Sequence, residues 1–201
     1  MSANLKENSA SRETAGIPVD PRRMSFLRYT HIFASAVREI LEAKFLDEVS
    51  PYSLTLPQFH LLKLITLHGG HQVGEVAVFL GMSPPAATKN IDKLQRLGLI
   101  LRKRCKGDRR ATLISPSAKG RRLVEDYENL KTDRMNPVLA NFSPQELNQM
   151  VRLLRRFSLS LIRTENPGDG MCLLCAAYCQ EDCPIGLTRG GCPCLGLRGA
   201  A

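Results

Sequence analysis

The chain has 201 residues, 43% of them hydrophobic, and a formal net charge of +9. That length suits one domain with an appendage or two small domains, with enough apolar residues for a core. It holds no run of about 18 apolar residues, which excludes a membrane-spanning helix. The opening MSANLKENSASRETAGIPVD lacks the apolar block of a secretory signal, so a cytoplasmic protein with a flexible arm over residues 1–20 is expected.

After the arm, Asp20-Pro21 is a helix start, an acidic N-cap followed by proline at the first helical position. Phe26, Tyr29, Ile32, Phe33, Ala36, Val37, Ile40, Leu41 and Phe45 then recur at three- and four-residue steps. The spacing predicts an amphipathic helix of about 25 residues ending before Pro51. TLPQ (55–58) is a capping-box pattern opening a second helix, which HGGH (68–71) terminates.

In VGEVAVFLGMSPPAATKNIDKLQRLGLI (73–100) a short helix ends at Gly81, and Ser83 caps the next, with Pro84 and Pro85 in its first turn. Ala87, Ile91 and Leu94 are spaced to pack inward, turning Pro85, Lys89, Asp92, Lys93 and Arg96 elsewhere. This is a helix-turn-helix. Gly98 closes it, and two β-rich segments around the charged turn CKGD read as a hairpin, giving a winged helix. Ser115-Pro116 is expected to start a long helix that fades near Pro137, and SPQE (143–146) to start the last one. The first and last helices are longer than a winged helix of this size can cover, so their apolar faces are expected to bury against a second chain.

Between residues 83 and 122 stand twelve lysines and arginines against only Asp92 and Asp108, so this segment carries the whole positive balance. Such concentration favours a polyanionic partner, nucleic acid first. No nucleophile–base grouping, phosphate loop or carboxylate pair is present, so an enzyme is not expected. His68 and His71 flank two glycines but supply too few ligands for a metal, and His31 and His60 fall within helical patterns.

LGLILRKRCKGDRRATLISPSAKG (97–120) is similar to the wing signature of the MarR (multiple antibiotic resistance regulator) family. LPQFHLLKLI and EVAVFLGMSPPAATKNIDKLQRLGLI match the preceding helices of that family in order and spacing. The resemblance covers roughly residues 22–163. It implies a mainly α, winged helix-turn-helix transcription regulator, a repressor in the leading reading, that binds a pseudo-palindromic operator in double-stranded DNA as a homodimer. A small-molecule effector is a further expected partner. On this reading the DNA-binding part spans about 55–115 and the dimerisation helices about 21–48 and 116–164.

By the same resemblance, base edges are read near the N-terminus of the recognition helix, by Ser83, Pro85, Ala86, Thr88 and Lys89, with Lys93 further along. Asn90 departs from the family, where this position is commonly apolar; it is either a base reader or a partly exposed residue. The wing aspartate would be Asp108, stiffened by Arg104 or Arg102, with Arg109 beside it and Arg110 as the minor-groove probe. Cys105, also in the wing, is a single thiol whose oxidation would disturb binding, or an incidental residue.

The family pattern does not include the tail. Six of the seven cysteines lie within residues 171–194: Cys172, Cys175, Cys179, Cys183, Cys192 and Cys194. In a cytosolic chain, clustered thiols point to metal or redox work before disulfides. The spacing C-x2-C-x3-C-x3-C-P is similar to the bacterial ferredoxin motif with one extra residue in the second gap. An iron–sulfur cluster, 4Fe-4S by that likeness, is the expected cofactor, and four-cysteine zinc is its main competitor. Eleven residues of straight helix span ~16 Å, so one cluster requires a bend or ligands from Cys192 and Cys194. A packed cysteine stripe and reversible thiol chemistry are the remaining alternatives. Residues 165–201 thus read as a metal- or redox-responsive module on the regulator. The rival functions are a ferredoxin-like electron carrier and a small-ligand regulator with a structural tail.

Overall fold

The computed structural model describes residues 20–68, 71–104, 112–165 and 176. Asp20 accepts the Arg22 N–H on its side chain and opens α1 (Pro21–Ala36), as its acid-proline pair predicts. The rod continues through a π-helical segment (Val37–Lys44) into α2 (Phe45–Val49), so the predicted single helix contains an under-wound, wider stretch. The Tyr127 hydroxyl donates to the Leu41 carbonyl inside that stretch, at 2.9 Å.

Three helices follow: α3 (Leu56–His68), α4 (Val73–Leu80) and α5 (Pro84–Arg96). At the entry to α3 the Gln58 side chain reaches back to accept the Thr55 N–H, half of the predicted capping box. Helix α5 ends in a Schellman motif: Gly98 takes φ +71, its N–H reaches Gln95, and the Leu99 N–H reaches Leu94. Glycine carries no Cβ penalty in that left-handed region, which is why the chain turns there.

The wing strands are β2 (Ile100–Arg104) and β3 (Thr112–Pro116), paired antiparallel with Arg102 opposite Ile114. A third strand, β1 (His71–Gln72), pairs antiparallel with β3, placing His71 opposite Ile114 and giving the order β1-β3-β2. Two residues are too short to show an alternation, so the sequence carries no signal for β1.

Helix α6 (Ala118–Leu139) ends near Pro137 as expected but differs from expectation at its start. Ser115 and Pro116 remain in β3, opposite Leu101 and Ile100. The helix is capped instead by Ser117, whose hydroxyl accepts the Gly120 N–H at 3.0 Å and donates to the Gly98 carbonyl at 2.7 Å. It runs through Pro137 to Leu139. The proline removes a hydrogen bond to the carbonyl of Asp133, an exposed residue where water can substitute, and so close to the helix end little else is lost. Helix α7 (Pro144–Glu165) has the predicted capping box complete: Ser143 N–H donates to Glu146 at 2.8 Å, and Glu146 N–H donates to the Ser143 hydroxyl at 3.3 Å.

The core lies where α3, α5, the wing and α6 meet. Leu61, Leu62 and Ile65 of α3 pack with Ile91 and Leu94 of α5, Ile100 and Ile114 of the wing, and Leu123 and Val124 of α6. Gly120 permits the closest approach: a Cβ there would stand 2.1 Å from the Leu99 carbonyl oxygen. The outer helices are different. Phe26, Ile32 and Phe33 of α1 and Met150, Val151 and Leu161 of α7 are exposed within one chain.

Candidate nucleic-acid interface

Helix α5 divides its residues as the sequence predicts. Ala87, Ile91 and Leu94 are fully buried. On the outward side an open groove is lined by Pro84, Pro85, Thr88, Lys89, Asp92, Gln95 and Arg96. Ser83 caps the helix, accepting the Ala86 N–H at a long 3.4 Å, and is itself exposed. Of the five predicted base readers, Ser83, Pro85, Thr88 and Lys89 are exposed and Ala86 is half-buried. The N-terminal end of α5 therefore presents small groups and one cation, while its other face is anchored in the core.

Two residues read as outward-facing are instead tied to the protein. Lys93 donates to the Ser53 carbonyl at 2.8 Å, bracing α5 against the segment before α3. Arg102 of β2 forms an ion pair with Asp92 of α5. The pair links the wing to α5 and explains the one acid on that helix. Arg102 had been one of two candidate partners for Asp108; its described partner is Asp92.

Asn90 faces inward rather than toward a base. The Gln58 amide nitrogen donates to Asn90 Oδ1 at 3.1 Å, and Asn90 Nδ2 donates to the Met82 sulfur at 3.4 Å. Gln58 is itself buried. Nothing in the sequence paired these amides, because they lie 32 positions apart.

Arg104 belongs to β2 by its backbone, while its side chain, Cys105, Asp108, Arg109 and Arg110 lie outside the described residues. So do Cys172, Cys175, Cys179, Cys183, Cys192 and Cys194. Among the described residues no group of three or more His, Cys, Asp or Glu could hold a metal ion. His71 is sealed in the core, whereas His31 is exposed.

Behind α3 lies a charged junction with the long helices. Lys63, almost fully buried, meets Glu128 of α6 at 2.8 Å, and Lys131 bonds the same carboxylate. Burial raises the Glu128 carboxyl, but the Lys131 and Lys63 ammoniums outweigh it and leave it below its ordinary range. His60 is pushed down to about 4 by burial and by Lys63. It is therefore neutral near pH 7, and its 3.8 Å approach to Glu42 is then not an ion pair. Burial raises the Glu42 carboxyl, partly offset by Arg38 and Lys63.

Residues 54–112 match the model of the MarR family. This winged-helix segment resembles the MarR family. Over more of the chain the fold is similar to solved structures. A MarR family protein from Bacillus stearothermophilus shares 24% identity at a TM-score of 0.58, over 71% of this chain and 98% of that one. The YusO protein from Bacillus subtilis shares 20% at 0.57, over 70% and 97%. A Staphylococcus aureus MepR–DNA complex shares 23% at 0.54, over 66% and 97%. These likenesses establish the fold. The MarR-family match itself begins in the loop before α3 and ends at the first residue of β3, so it contains α3, α4, α5 and the first wing strand.

Proposed function

We propose that the chain is a sequence-specific, DNA-binding transcription regulator of the MarR type, acting as a homodimer and as a repressor. The observation that carries this reading is the two-sidedness of α5: Ala87, Ile91 and Leu94 lock one face into the core, and Pro85, Thr88 and Lys89 stand free at the other. An α-helix held in that way fits the major groove, with its N-terminal side chains reaching base edges. The basic residues of the wing supply phosphate affinity. The MepR–DNA complex lends support as a protein of like fold bound to DNA. The exposed apolar faces of α1 and α7 support a dimer, because a lone soluble chain rarely leaves such patches open. Selecting duplexes from a random pool and measuring affinity against salt tests the reading. A preferred, two-fold-related site with affinity falling steeply as salt rises is expected; equal affinity for all duplexes would overturn it.

The cysteine-rich tail is proposed to hold a metal centre through at least four thiolates, iron–sulfur before zinc, and to couple its state to operator affinity. The support is the spacing of Cys172, Cys175, Cys179 and Cys183-Pro184, followed by Cys192 and Cys194. Protein purified without oxygen is expected to be brown, absorbing broadly at roughly 400 nm if the centre is iron–sulfur, or colourless with stoichiometric zinc. Cys175→Ala and Cys179→Ala are expected to lower metal content most. Metal-free protein whose DNA affinity is the same with and without oxygen would reject the tail as a sensor.

A further inference from the structure

Four residues form a directed chain of hydrogen bonds beneath the recognition helix. The Thr55 N–H donates to Gln58 Oε1 at 3.1 Å, Gln58 Nε2 donates to Asn90 Oδ1 at 3.1 Å, and Asn90 Nδ2 donates to Met82 Sδ at 3.4 Å. Its polarity is fixed at one end. A backbone N–H can only donate, so Gln58 must turn its oxygen to Thr55 and its nitrogen to Asn90. Asn90 must then present oxygen to Gln58, which sends its nitrogen to Met82, and a thioether sulfur can only accept. Every donor in the chain meets an acceptor, and neither amide can flip without setting like groups against each other.

The chain joins three parts: the first turn of α3, the turn before α5, and α5 itself at Asn90, the residue directly after the exposed Lys89. Apolar contact from Ala87, Ile91 and Leu94 anchors α5 in the core, but dispersion is not directional, so its exact rotation falls to the polar ties: Lys93–Ser53 and Asp92–Arg102 toward solvent, and Asn90–Gln58 on the inner side. Hydrogen bonds of fixed polarity are directional. We propose that Gln58 and Asn90 are positioning residues that set the rotation and depth of α5, and hence which base edges its exposed face reaches. The inference rests on the DNA-binding reading above.

The test compares Asn90→Leu, Gln58→Leu and the double variant, each as the full chain. The readouts are the thermal midpoint, and the affinity for a duplex selected by the wild-type protein relative to a scrambled duplex. A single change leaves the buried Gln58 amide or the half-buried Asn90 amide without its partner and should lower the midpoint. Replacing both should restore most of it, because two apolar groups can take the place of a bonded pair. A purely structural role requires the preference for the selected duplex to return with the midpoint. The positioning role requires that preference to stay roughly tenfold or more below wild type in the double variant. Asn90→Asp, which keeps the acceptor for Gln58, should hold the preference even if its charge lowers affinity for both duplexes. A double variant with wild-type preference, or Asn90→Leu with unchanged preference, would overturn the inference while leaving the DNA-binding reading intact. A wild-type protein with no preference among duplexes would overturn that reading, and this inference with it.

Discussion

Phe26, near the start of α1, meets Phe157 of α7 edge to face, with ring centroids 4.9 Å apart and planes at 80°. The first and last helices of the described chain thus close on each other at one point while most of their apolar residues stay uncovered. Ile32 is 55% exposed and Val151 63%. On the proposed dimer these side chains are covered by the partner. Ile32→Glu combined with Val151→Glu should produce a monomer, because each buried carboxylate costs several kcal/mol. Sedimentation is the measurement, and a dimer of unaltered strength would contradict the shared apolar face.

Lys89 and Arg110 should fail differently. Lys89 is exposed on α5 and free to reach a base edge, so Lys89→Ala is expected to change the preferred sequence. Arg110→Ala should weaken binding to the selected site by ~1–3 kcal/mol if it reads the minor groove. Uniform loss across all sequences in Lys89→Ala, seen by competition binding, would reassign that lysine to a phosphate.

Gly120→Ala should destabilise the protein sharply although alanine favours helices. The added methyl would stand 2.1 Å from the Leu99 carbonyl oxygen and 3.0 Å from a Leu62 methyl group. Backbone must shift to make room, at a cost of about 2–3 kcal/mol or more. Urea unfolding checks this, and a midpoint within error of wild type would show that α6 and the wing junction are looser than described.

His60 predicts acid sensitivity. Its folded-state value of about 4 lies below the ordinary 6.5, so the unfolded chain takes up the proton first. The stability this holds is complete above about pH 6.5 and is lost as pH falls toward 4, on the order of 3 kcal/mol. Glu42, raised by burial, gains its proton first in the folded state and offsets part of the loss. Glu128, held low, matters only below the ordinary carboxylate range. His60→Gln should flatten the slope of stability against pH between 6.5 and 4. The same slope in both proteins would remove His60 as its source.

Much of this architecture was legible because it is written locally. The Ala87, Ile91, Leu94 stripe, the Ser143–Glu146 capping box and the glycine at 98 each act within a few residues. What escaped depends on distant partners. Asn90 is anomalous in sequence and explained only by Gln58 beside it, and Lys93 reads as a DNA contact although its described bond is to the Ser53 carbonyl. The start of α6 is ambiguous in sequence because both Ser115-Pro116 and Ser117 can cap a helix, and strand pairing with β2 decides for Ser117. The π-helical stretch has no local composition that announces it.

The strand order β1-β3-β2 leaves β2 at the edge of the described sheet. An open edge is a template on which another chain can add a strand. Three of its five residues, Arg102, Lys103 and Arg104, are cationic, so a second copy approaching in the same way would set like charges against each other. On the proposed function, the charge that would attract phosphate also opposes edge-to-edge pairing of two wings before any nucleic acid arrives.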